Sequence, residues 1–253
     1  MESRYTSRQS SSAQEETESV LESRKKQRTG YYSAFWPQTQ STGTFNYRRY
    51  PQVNKAPQKP RPPDKFSLIL PDTNTELIFI KGSVTDFKGE SIVNAANEQC
   101  LGGGGVDGAI TKAGGQKLAD HRQKLPILYD NVRVPTGDAR ITNGGDLNAS
   151  YCIHAVGPDF RTVENPYQSL DASYISVLRE AKMNQLKEIA FIPLSSGIFR
   201  GSEPVKKVIK TGLEAIVNNT YNGLERVYMY GFKYEEMETF HTLYLKLKKM
   251  IKN

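Results

Sequence analysis

Two asparagines and a run of glycines stand close together in the middle of the chain. Residues 92–97 read Ile-Val-Asn-Ala-Ala-Asn, and residues 101–110 read Leu-Gly-Gly-Gly-Gly-Val-Asp-Gly-Ala-Ile. The glycines leave backbone N–H groups bare and free to turn toward an anion, and a helix that begins after them adds a favourable dipole. The amide of Asn97 can bond sugar hydroxyls. The segment therefore predicts an anion-binding loop with a polar amide at its edge.

Asp107 follows the glycines and falls in the first turn of the predicted helix. A carboxylate at this position is stabilised by the helix dipole. Two interpretations stay open for this residue. In one, Asp107 takes part in the chemistry of a bound ligand. In the other, it is only a helix-cap residue.

A second loop of similar character lies at residues 193–201, which read Pro-Leu-Ser-Ser-Gly-Ile-Phe-Arg-Gly. It follows a predicted buried strand, precedes a helix, and offers backbone donors, two hydroxyls and an aromatic ring. The alternative is an ordinary strand-to-helix connection with Phe199 packed inside. Two such loops in one α/β domain favour a diphosphate site. A P-loop is excluded because no Gly-Lys-Ser/Thr follows the glycines.

Short apolar runs alternate with segments of helical spacing from Phe66 onward. Residues 66–70 and 77–80 flank a turn-like Pro-Asp-Thr-Asn and predict a hairpin. The other predicted strands are residues 91–94, 139–142, 151–156, 189–193 and 227–230, and the predicted helices are residues 106–122, 170–186, 204–218 and 235–252. This alternation predicts an α/β fold with helices on both faces of a central sheet. Ligands in such folds bind at loops beyond the strand ends.

Residues 1–65 are predicted to be a disordered basic tail or linker. They are rich in Ser, Gln, Thr, Arg and Pro, and they hold 12 Lys and Arg against 6 Asp and Glu. The formal net charge of the whole chain is +7, so most of the basic excess lies in this segment. Such an arm is either a contact for nucleic acid or a solubilising tail. Residues 66–253 then form the folded domain.

The chain has two cysteines, Cys100 and Cys152, and three histidines, with no spacing typical of a metal site. A disulfide framework and a zinc site are therefore not expected. No apolar run approaches the roughly 20 residues that cross a bilayer, and residues 1–19 contain no apolar signal-peptide core. We expect an intracellular protein of the nucleus or cytoplasm without membrane contact. The basic run at residues 24–28 is either a nuclear-localisation signal or solvated charge.

Four separated motifs resemble those of macrodomains, which are α/β modules that bind ADP-ribose. Besides the two loops, they are Thr-Gly-Asp-Ala-Arg-Ile-Thr at residues 136–142 and Tyr-Cys-Ile-His-Ala-Val-Gly-Pro at residues 151–158. The glycine loop closely resembles that of the MacroD-type ADP-ribosyl-hydrolases. The resemblance runs from about Leu77 to Lys252. It implies a three-layer α/β/α fold with a mixed, mostly parallel sheet of about six strands.

The resemblance also implies a role for individual residues. The implied catalytic residues are Asn97, which contacts the distal ribose, and Asp107, which positions a water or the ribose for cleavage. Phe232 matches the family's aromatic residue that stacks on adenine, with simple core packing as the competing interpretation. The implied ligand-binding residues are Ser83, Val84, Asn94, Ala96, Gly103, Gly104, Gly105, Val106, Ser195, Ser196, Gly197, Ile198, Phe199 and Phe232.

Two positions depart from the family pattern. Macrodomains commonly have an Asp after an early glycine that accepts from the adenine amino group, and this chain has Ser83 there. The helix after Asp107 often carries a histidine one turn later in this branch, and this chain has Thr111. These changes predict weaker adenine selectivity and an altered environment for catalysis. His154, inside an apolar strand, is predicted to be a hydrogen-bonded core residue.

The resemblance therefore implies a module that binds ADP-ribose and hydrolyses mono-ADP-ribose from acidic side chains of modified proteins. No metal and no separate cofactor are implied, and the partners are ADP-ribose and ADP-ribosylated proteins. A non-catalytic ADP-ribose reader is the main alternative, which Ser83 and Thr111 leave open. Deacetylation of O-acetyl-ADP-ribose is a third function that needs the same pocket.

Overall fold

The computed structural model describes residues 61–252, which lie within one structural unit, Gln58–Asn253. The predicted tail therefore lies outside the described residues except for its last five positions. The first strand begins at Lys65, one residue before the predicted domain boundary. The strands are β1 (Lys65–Leu70), β2 (Thr75–Lys81), β3 (Gly89–Ala95), β4 (Ala139–Asn143), β5 (Ala149–Ala155), β6 (Glu188–Phe191) and β7 (Arg226–Gly231).

These strands form one mixed sheet in the order β1-β2-β7-β6-β3-β5-β4. The five central strands, β2, β7, β6, β3 and β5, pair in parallel, whereas β1 and β4 pair antiparallel at the two edges. The predicted mixed, mostly parallel sheet is confirmed. The described residues contain seven strands, the number that the apolar runs predict, rather than the roughly six that the resemblance implies.

Four helices flank the sheet: α1 (Gly105–Gln123), α2 (Pro166–Met183), α3 (Val205–Asn219) and α4 (Tyr234–Lys252). Helix α2 begins four residues before the prediction, with Pro166 in its first turn, where the missing N–H has no intrahelical partner. It ends before Gln185, whose positive φ of 56° interrupts the helical path. The three-layer α/β/α prediction is confirmed, since helices cover both faces of the sheet.

Alternate residues of the strands divide the core into two layers, as the pleat of a β-strand requires. Val93 of β3 packs in the cluster that contains apolar side chains of α2, α3 and α4. Ile92, one position earlier, packs in the cluster that contains Ile110 and Leu118 of α1. Helix α1 therefore covers one face of the sheet, and the other three helices cover the opposite face.

Helix α1 is not straight. Gly115 has φ 62° and ψ −163°, so the helix is kinked at this residue. This backbone conformation is open essentially to glycine alone. A Cβ at Gly115 would also approach Asp146 Oδ2 within 2.5 Å. The kink changes the direction of residues 116–123 relative to the first half of the helix.

Candidate functional site

The predicted site residues lie beyond one edge of the sheet. Because β2, β3, β6 and β7 are parallel, their carboxyl ends meet at that edge. The glycine loop follows β3, the second loop follows β6, Ser83 follows β2, and Phe232 follows β7. The topology therefore gathers all four predicted segments on the side where α/β folds bind ligands.

The glycine loop presents open backbone at the start of α1. Gly104 is the N-cap of the helix and has no side chain to satisfy the first N–H groups. A Cβ at Gly104 or Gly105 would meet no atom within 4 Å, so the space beside both residues is free. Gly105 has a positive φ of 59°, which favours glycine. Free amides, a helix N-terminus and open space together suit an anionic group.

The side chains of Asn97 and Asp107 both lie close to Gly103. A Cβ at Gly103 would be 3.0 Å from Asp107 Oδ2 and 3.4 Å from Asn97 Nδ2. Asn97 also holds its own turn, since its Oδ1 accepts from Cys100 N at 3.0 Å and its Nδ2 donates to Gly102 O at 3.0 Å. The structure thus brings together the two residues predicted to be catalytic, at the glycine loop.

The carboxylate of Asp107 is buried, with 3% of the residue exposed, and it binds side chains rather than capping the helix. Arg122 Nη1 donates to Oδ1 at 2.8 Å, and Arg122 Nη2 donates to Oδ2 at 3.3 Å. Asn94 Nδ2 also donates to Oδ1, at 2.8 Å. The helix-cap interpretation is therefore wrong for this residue. Sequence reasoning missed Arg122. Side chains that meet on a helix surface are three or four residues apart, whereas Arg122 is 15 residues from Asp107 and meets it through a kink that the sequence pattern does not predict.

Asn94 connects Asp107 to a buried histidine. Its Nδ2 lies 3.2 Å from His154 Nδ1, and His154 Nε2 lies 2.9 Å from Thr142 Oγ1. Burial, and secondly the charge of Arg122, lower the pKa of His154 well below 6.5. The neutral ring then accepts from Asn94 at Nδ1 and donates to Thr142 from Nε2. The prediction of a hydrogen-bonded core histidine is confirmed.

Five of the predicted ligand-binding residues are buried: Ser195 and Ser196 in the second loop, and Val84, Asn94 and Ala96, which are 2%, 0% and 3% exposed. Asn94 bonds the Asp107 carboxylate from the protein interior and does not face solvent. The backbone N–H of Ala96 is bonded to Ala155 O at 2.9 Å, within the extension of the sheet. Val84, Asn94 and Ala96 lie beneath the loops of the site, and their role in ligand binding stays a prediction.

In the second loop, residues 193–201, the two serine hydroxyls bond groups inside the protein, whereas Gly197 faces solvent. Ser195, with a positive φ of 54°, donates to Pro158 O at 2.8 Å. Ser196 donates to Pro193 O at 2.9 Å and lies 3.3 Å from Glu236 Oε1. Gly197 and Ile198 are exposed, and Phe199 is only half-buried, so the interpretation of Phe199 as a core residue is wrong. The loop therefore offers its backbone and apolar side chains, not its hydroxyls, to a ligand.

Glu236 ties the second loop to the segment after β7. Its Oε2 accepts from the backbone N–H of Phe232 at 2.9 Å and of Lys233 at 3.0 Å, while Oε1 faces Ser196. Phe232 itself is 78% exposed, which excludes core packing and leaves its ring free to stack. Sequence reasoning missed Glu236. Its place in the first turn of α4, three residues after Lys233, was the available signal, since a carboxylate there can bond preceding amides.

Ser83 caps a short 3₁₀ turn at Val84–Asp86. Its Oγ lies 2.7 Å from Thr85 Oγ1 and accepts from Thr85 N at 3.4 Å. The neighbouring Gly82 donates its N–H to Gly231 O at 3.1 Å, which fixes this turn beside the end of β7. Ser83 and Phe232 therefore belong to one end of the site, and Asn97 and Asp107 to the loop after β3.

Residues 61–252 contain no group of three or more metal-ligating side chains. Within the same range, no helix combines the length and apolar character needed to cross a membrane.

Comparison with known proteins gives one consistent family. A Macro domain family model matches residues 93–210. A macro domain-containing protein of Vibrio parahaemolyticus is 36% identical over 159 residues, which are 62% of this chain and 90% of that protein. An O-acetyl-ADP-ribose deacetylase of Escherichia fergusonii is 42% identical over 121 residues, 47% of this chain and 67% of that protein.

Solved structures agree with the sequence comparison. The Oceanobacillus iheyensis macrodomain with ADP is 28% identical with a TM-score of 0.65, covering 73% of this chain and 97% of that one. The Trypanosoma brucei macrodomain in complex with ADP-ribose is 30% identical with a TM-score of 0.58, covering 66% of this chain and 68% of that one.

Proposed function

This chain belongs to the macrodomain family, and we propose that it binds ADP-ribose and hydrolyses mono-ADP-ribose from acidic side chains of modified proteins. The observation that carries the proposal is that the side chains of Asn97 and Asp107 both lie close to Gly103, in the open glycine loop. Relatives solved with ADP and with ADP-ribose support the same ligand for this site.

The binding mode follows from the distribution of groups along the site. The diphosphate lies against the N–H groups of residues 103–106, where the helix dipole and free space favour an anion. The adenine ring stacks on the exposed Phe232, next to Ser83. The distal ribose then falls between Asn97, Asp107 and Phe199. In this mode Val84, Asn94 and Ala96 form the floor.

The proposed reaction cleaves the ester between the distal ribose and a glutamate or aspartate carboxylate. A water oxygen forms a bond to the anomeric carbon, and the bond from that carbon to the carboxylate oxygen breaks. The carboxylate leaves with the bonding electron pair, and the water releases one proton. Asp107 serves as a fixed anionic acceptor for the water or a ribose hydroxyl, which improves its orientation in the transition state.

Hydrolysis of O-acetyl-ADP-ribose is a second candidate, favoured by the similarity to the Escherichia fergusonii deacetylase. There a water attacks the acetyl carbonyl, and acetate and ADP-ribose are the products. Both reactions use the same pocket for ADP-ribose, but they differ in the group attached to the distal ribose and in the carbon that water attacks.

The deciding experiment incubates the full chain with a mono-ADP-ribosylated glutamate peptide and, separately, with O-acetyl-ADP-ribose. Release of free ADP-ribose from the peptide supports the first candidate, and release of acetate supports the second. Binding of ADP-ribose by calorimetry without either product would make the chain a reader of ADP-ribosylated proteins. No binding would contradict both the enzyme and the reader.

We also propose that residues 66–253 suffice for binding, since every predicted ligand residue lies at or after Ser83. Nucleic-acid contact by residues 1–65, and an intracellular location, remain predictions from composition. Whether residues 66–253 suffice is tested by comparing the affinity for ADP-ribose of a chain that starts at Phe66 with that of the full chain.

A further inference from the structure

Arg122 is fully buried and forms a two-point contact with the Asp107 carboxylate. Neither the residue nor its side chain has any solvent exposure. Nη1 lies 2.8 Å from Oδ1 and Nη2 lies 3.3 Å from Oδ2. Two parallel N–H···O bonds between planar groups fix orientation as well as distance, which a single bond does not. The direction of the Asp107 carboxylate is therefore set by Arg122.

The same guanidinium holds the turn that carries Asn97. Arg122 Nε donates to Cys100 O at 2.6 Å, while Cys100 N donates to Asn97 Oδ1 at 3.0 Å. One side chain thus anchors both Asp107 and the end of the Asn97 turn. Arg122 therefore bonds Asp107 directly and connects to Asn97 through Cys100.

Arg122 reaches Asp107 only because α1 is kinked. Along a straight helix, 15 residues would separate the two Cα atoms by about 22 Å. The non-helical Gly115 redirects the second half of the helix toward the loop. Thr111 completes the arrangement, since its Oγ1 accepts from Arg122 Nη1 at 2.9 Å and donates to Asp107 O at 2.8 Å.

We propose that Arg122 is a positioning residue for hydrolysis, which holds the Asp107 carboxylate and the Asn97 turn in a fixed relation to each other beside Gly103. The inference rests on the proposed hydrolase function. Arg122 is buried beneath the loop and acts on the substrate only through Asp107 and Asn97. Its loss should therefore reduce the rate of cleavage more than the affinity for ADP-ribose, whose diphosphate and adenine contacts lie elsewhere.

The test compares Arg122→Lys with wild type by single-turnover release of ADP-ribose from a modified glutamate peptide. Lysine keeps the positive charge but cannot form the two-point contact. We expect the rate to fall by about 10- to 100-fold, as misplacement near 1 Å does. Calorimetry with ADP-ribose should give a Kd within about threefold of wild type, because ground-state binding is retained.

Two further variants separate positioning from general damage to the fold. Thr111→Val removes one hydrogen bond to Arg122 while keeping the ion pair with Asp107, so it should lower the rate of cleavage by a smaller factor than Arg122→Lys does. Arg133→Lys is the matched control, because Arg133 is also buried and bonds Gln99 O in the same loop without contacting Asp107. Because Arg133→Lys affects the Asn97 turn but keeps the contact of Arg122 with Asp107, its rate should fall less than that of Arg122→Lys, and its Kd should stay close to that of wild type. If Arg122→Lys does not fold, the Thr111→Val rate decides the question.

A second comparison uses the Asp107→Asn background. If Arg122 acts partly through Asp107 and partly through the Asn97 turn, Arg122→Lys should lower the rate by a smaller factor in the Asp107→Asn background than in wild type. A wild-type rate in both Arg122→Lys and Thr111→Val would overturn the role of Arg122 but not the hydrolase function. A loss of affinity in Arg122→Lys equal to its loss of rate would have the same meaning. Absence of turnover by wild type on both substrates would overturn the hydrolase function and this inference with it.

Discussion

Arg122 Nη1 and Asp107 Oδ1 lie 2.8 Å apart in a buried ion pair that joins the end of helix α1 to its first turn. Burial lowers the pKa of the Arg122 guanidinium, but the hydrogen bond and charge of Asp107 outweigh it, and the net shift is upward. The Arg122 guanidinium therefore stays charged at neutral pH. The pair makes Asp107 a structural residue as well as a candidate catalytic one.

Asp107→Ala should destabilise the domain strongly. The substitution leaves the Arg122 guanidinium buried without its partner, which typically costs about 3–5 kcal/mol. Urea denaturation measures the change. Asp107→Ala combined with Arg122→Met removes both charges and should recover much of the loss. Asp138→Ala is the control, because its partners Arg140 and Arg179 are partly exposed and such pairs contribute about 1 kcal/mol or less. Equal losses for both single variants would contradict the prediction.

Gly104→Glu should abolish ADP-ribose binding in a folded protein. A Cβ at Gly104 meets no atom within 4 Å, and the residue has a negative φ of −92°, so the backbone there tolerates a side chain. It would project into the proposed diphosphate position, and its charge would repel the phosphates. Calorimetry gives the affinity, and circular dichroism checks the fold. Gly104→Ala, which adds only a methyl group, is the control and should bind more tightly than Gly104→Glu. Retained affinity in folded Gly104→Glu would exclude this loop as the phosphate site.

Phe232→Ala should weaken ADP-ribose binding without affecting stability. Stacking of a base on an aromatic ring contributes about 1–3 kcal/mol, so the Kd should rise roughly 5- to 150-fold. Because Phe232 is 78% exposed, the free energy of unfolding should change by less than about 0.5 kcal/mol. Met183→Ala removes another exposed apolar side chain, at the end of α2, and should change neither quantity. An unchanged Kd for Phe232→Ala would place adenine elsewhere.

Ser83→Asp should sharpen the preference for adenine. Aspartate caps a helical turn as well as serine does, so the turn at Val84–Asp86 should persist. A carboxylate forms a charge-assisted bond to the exocyclic amine of adenine, which favours the ligand by about 1 kcal/mol over a hydroxyl. The ratio of Kd values for ADP-ribose and its inosine analogue measures the effect. The same ratio in both proteins would mean that position 83 does not face the base.

The domain should lose stability as the pH falls from 7 to 5, because of His154. Its pKa in the folded protein is well below the ordinary 6.5, so below pH 6.5 the unfolded chain binds a proton that the folded chain does not. Unfolding is then favoured by up to about 1.4 kcal/mol per pH unit. Above pH 6.5 the residue is neutral in both states and the effect vanishes. Urea midpoints across this range test the slope, which His154→Gln should flatten. A wild-type stability that is constant from pH 7 to 5 would contradict the assignment.

The sequence predicts the sheet and the location of the site because those features depend on local patterns. Alternating strands and helices determine the order of elements, and the glycines after β3 mark the loop where a backbone must lie bare. The contacts of Arg122 and Glu236 could not be predicted in this way. Each depends on a tertiary relationship, the kink at Gly115 for Arg122 and the approach of the loop after β6 to helix α4 for Glu236. Asp107 was ambiguous for the same reason, since its partners are remote along the chain.

The kink at Gly115 also has a consequence for local opening of the protein. Because Arg122 joins the far half of α1 to the glycine loop, residues 116–123 cannot unravel without releasing Asp107 and the turn of Asn97. The two ends of α1 therefore form one cooperative opening unit, in the sense measured by amide hydrogen exchange. A ligand held by the glycine loop would slow exchange at the far half of the helix, although no residue there touches it.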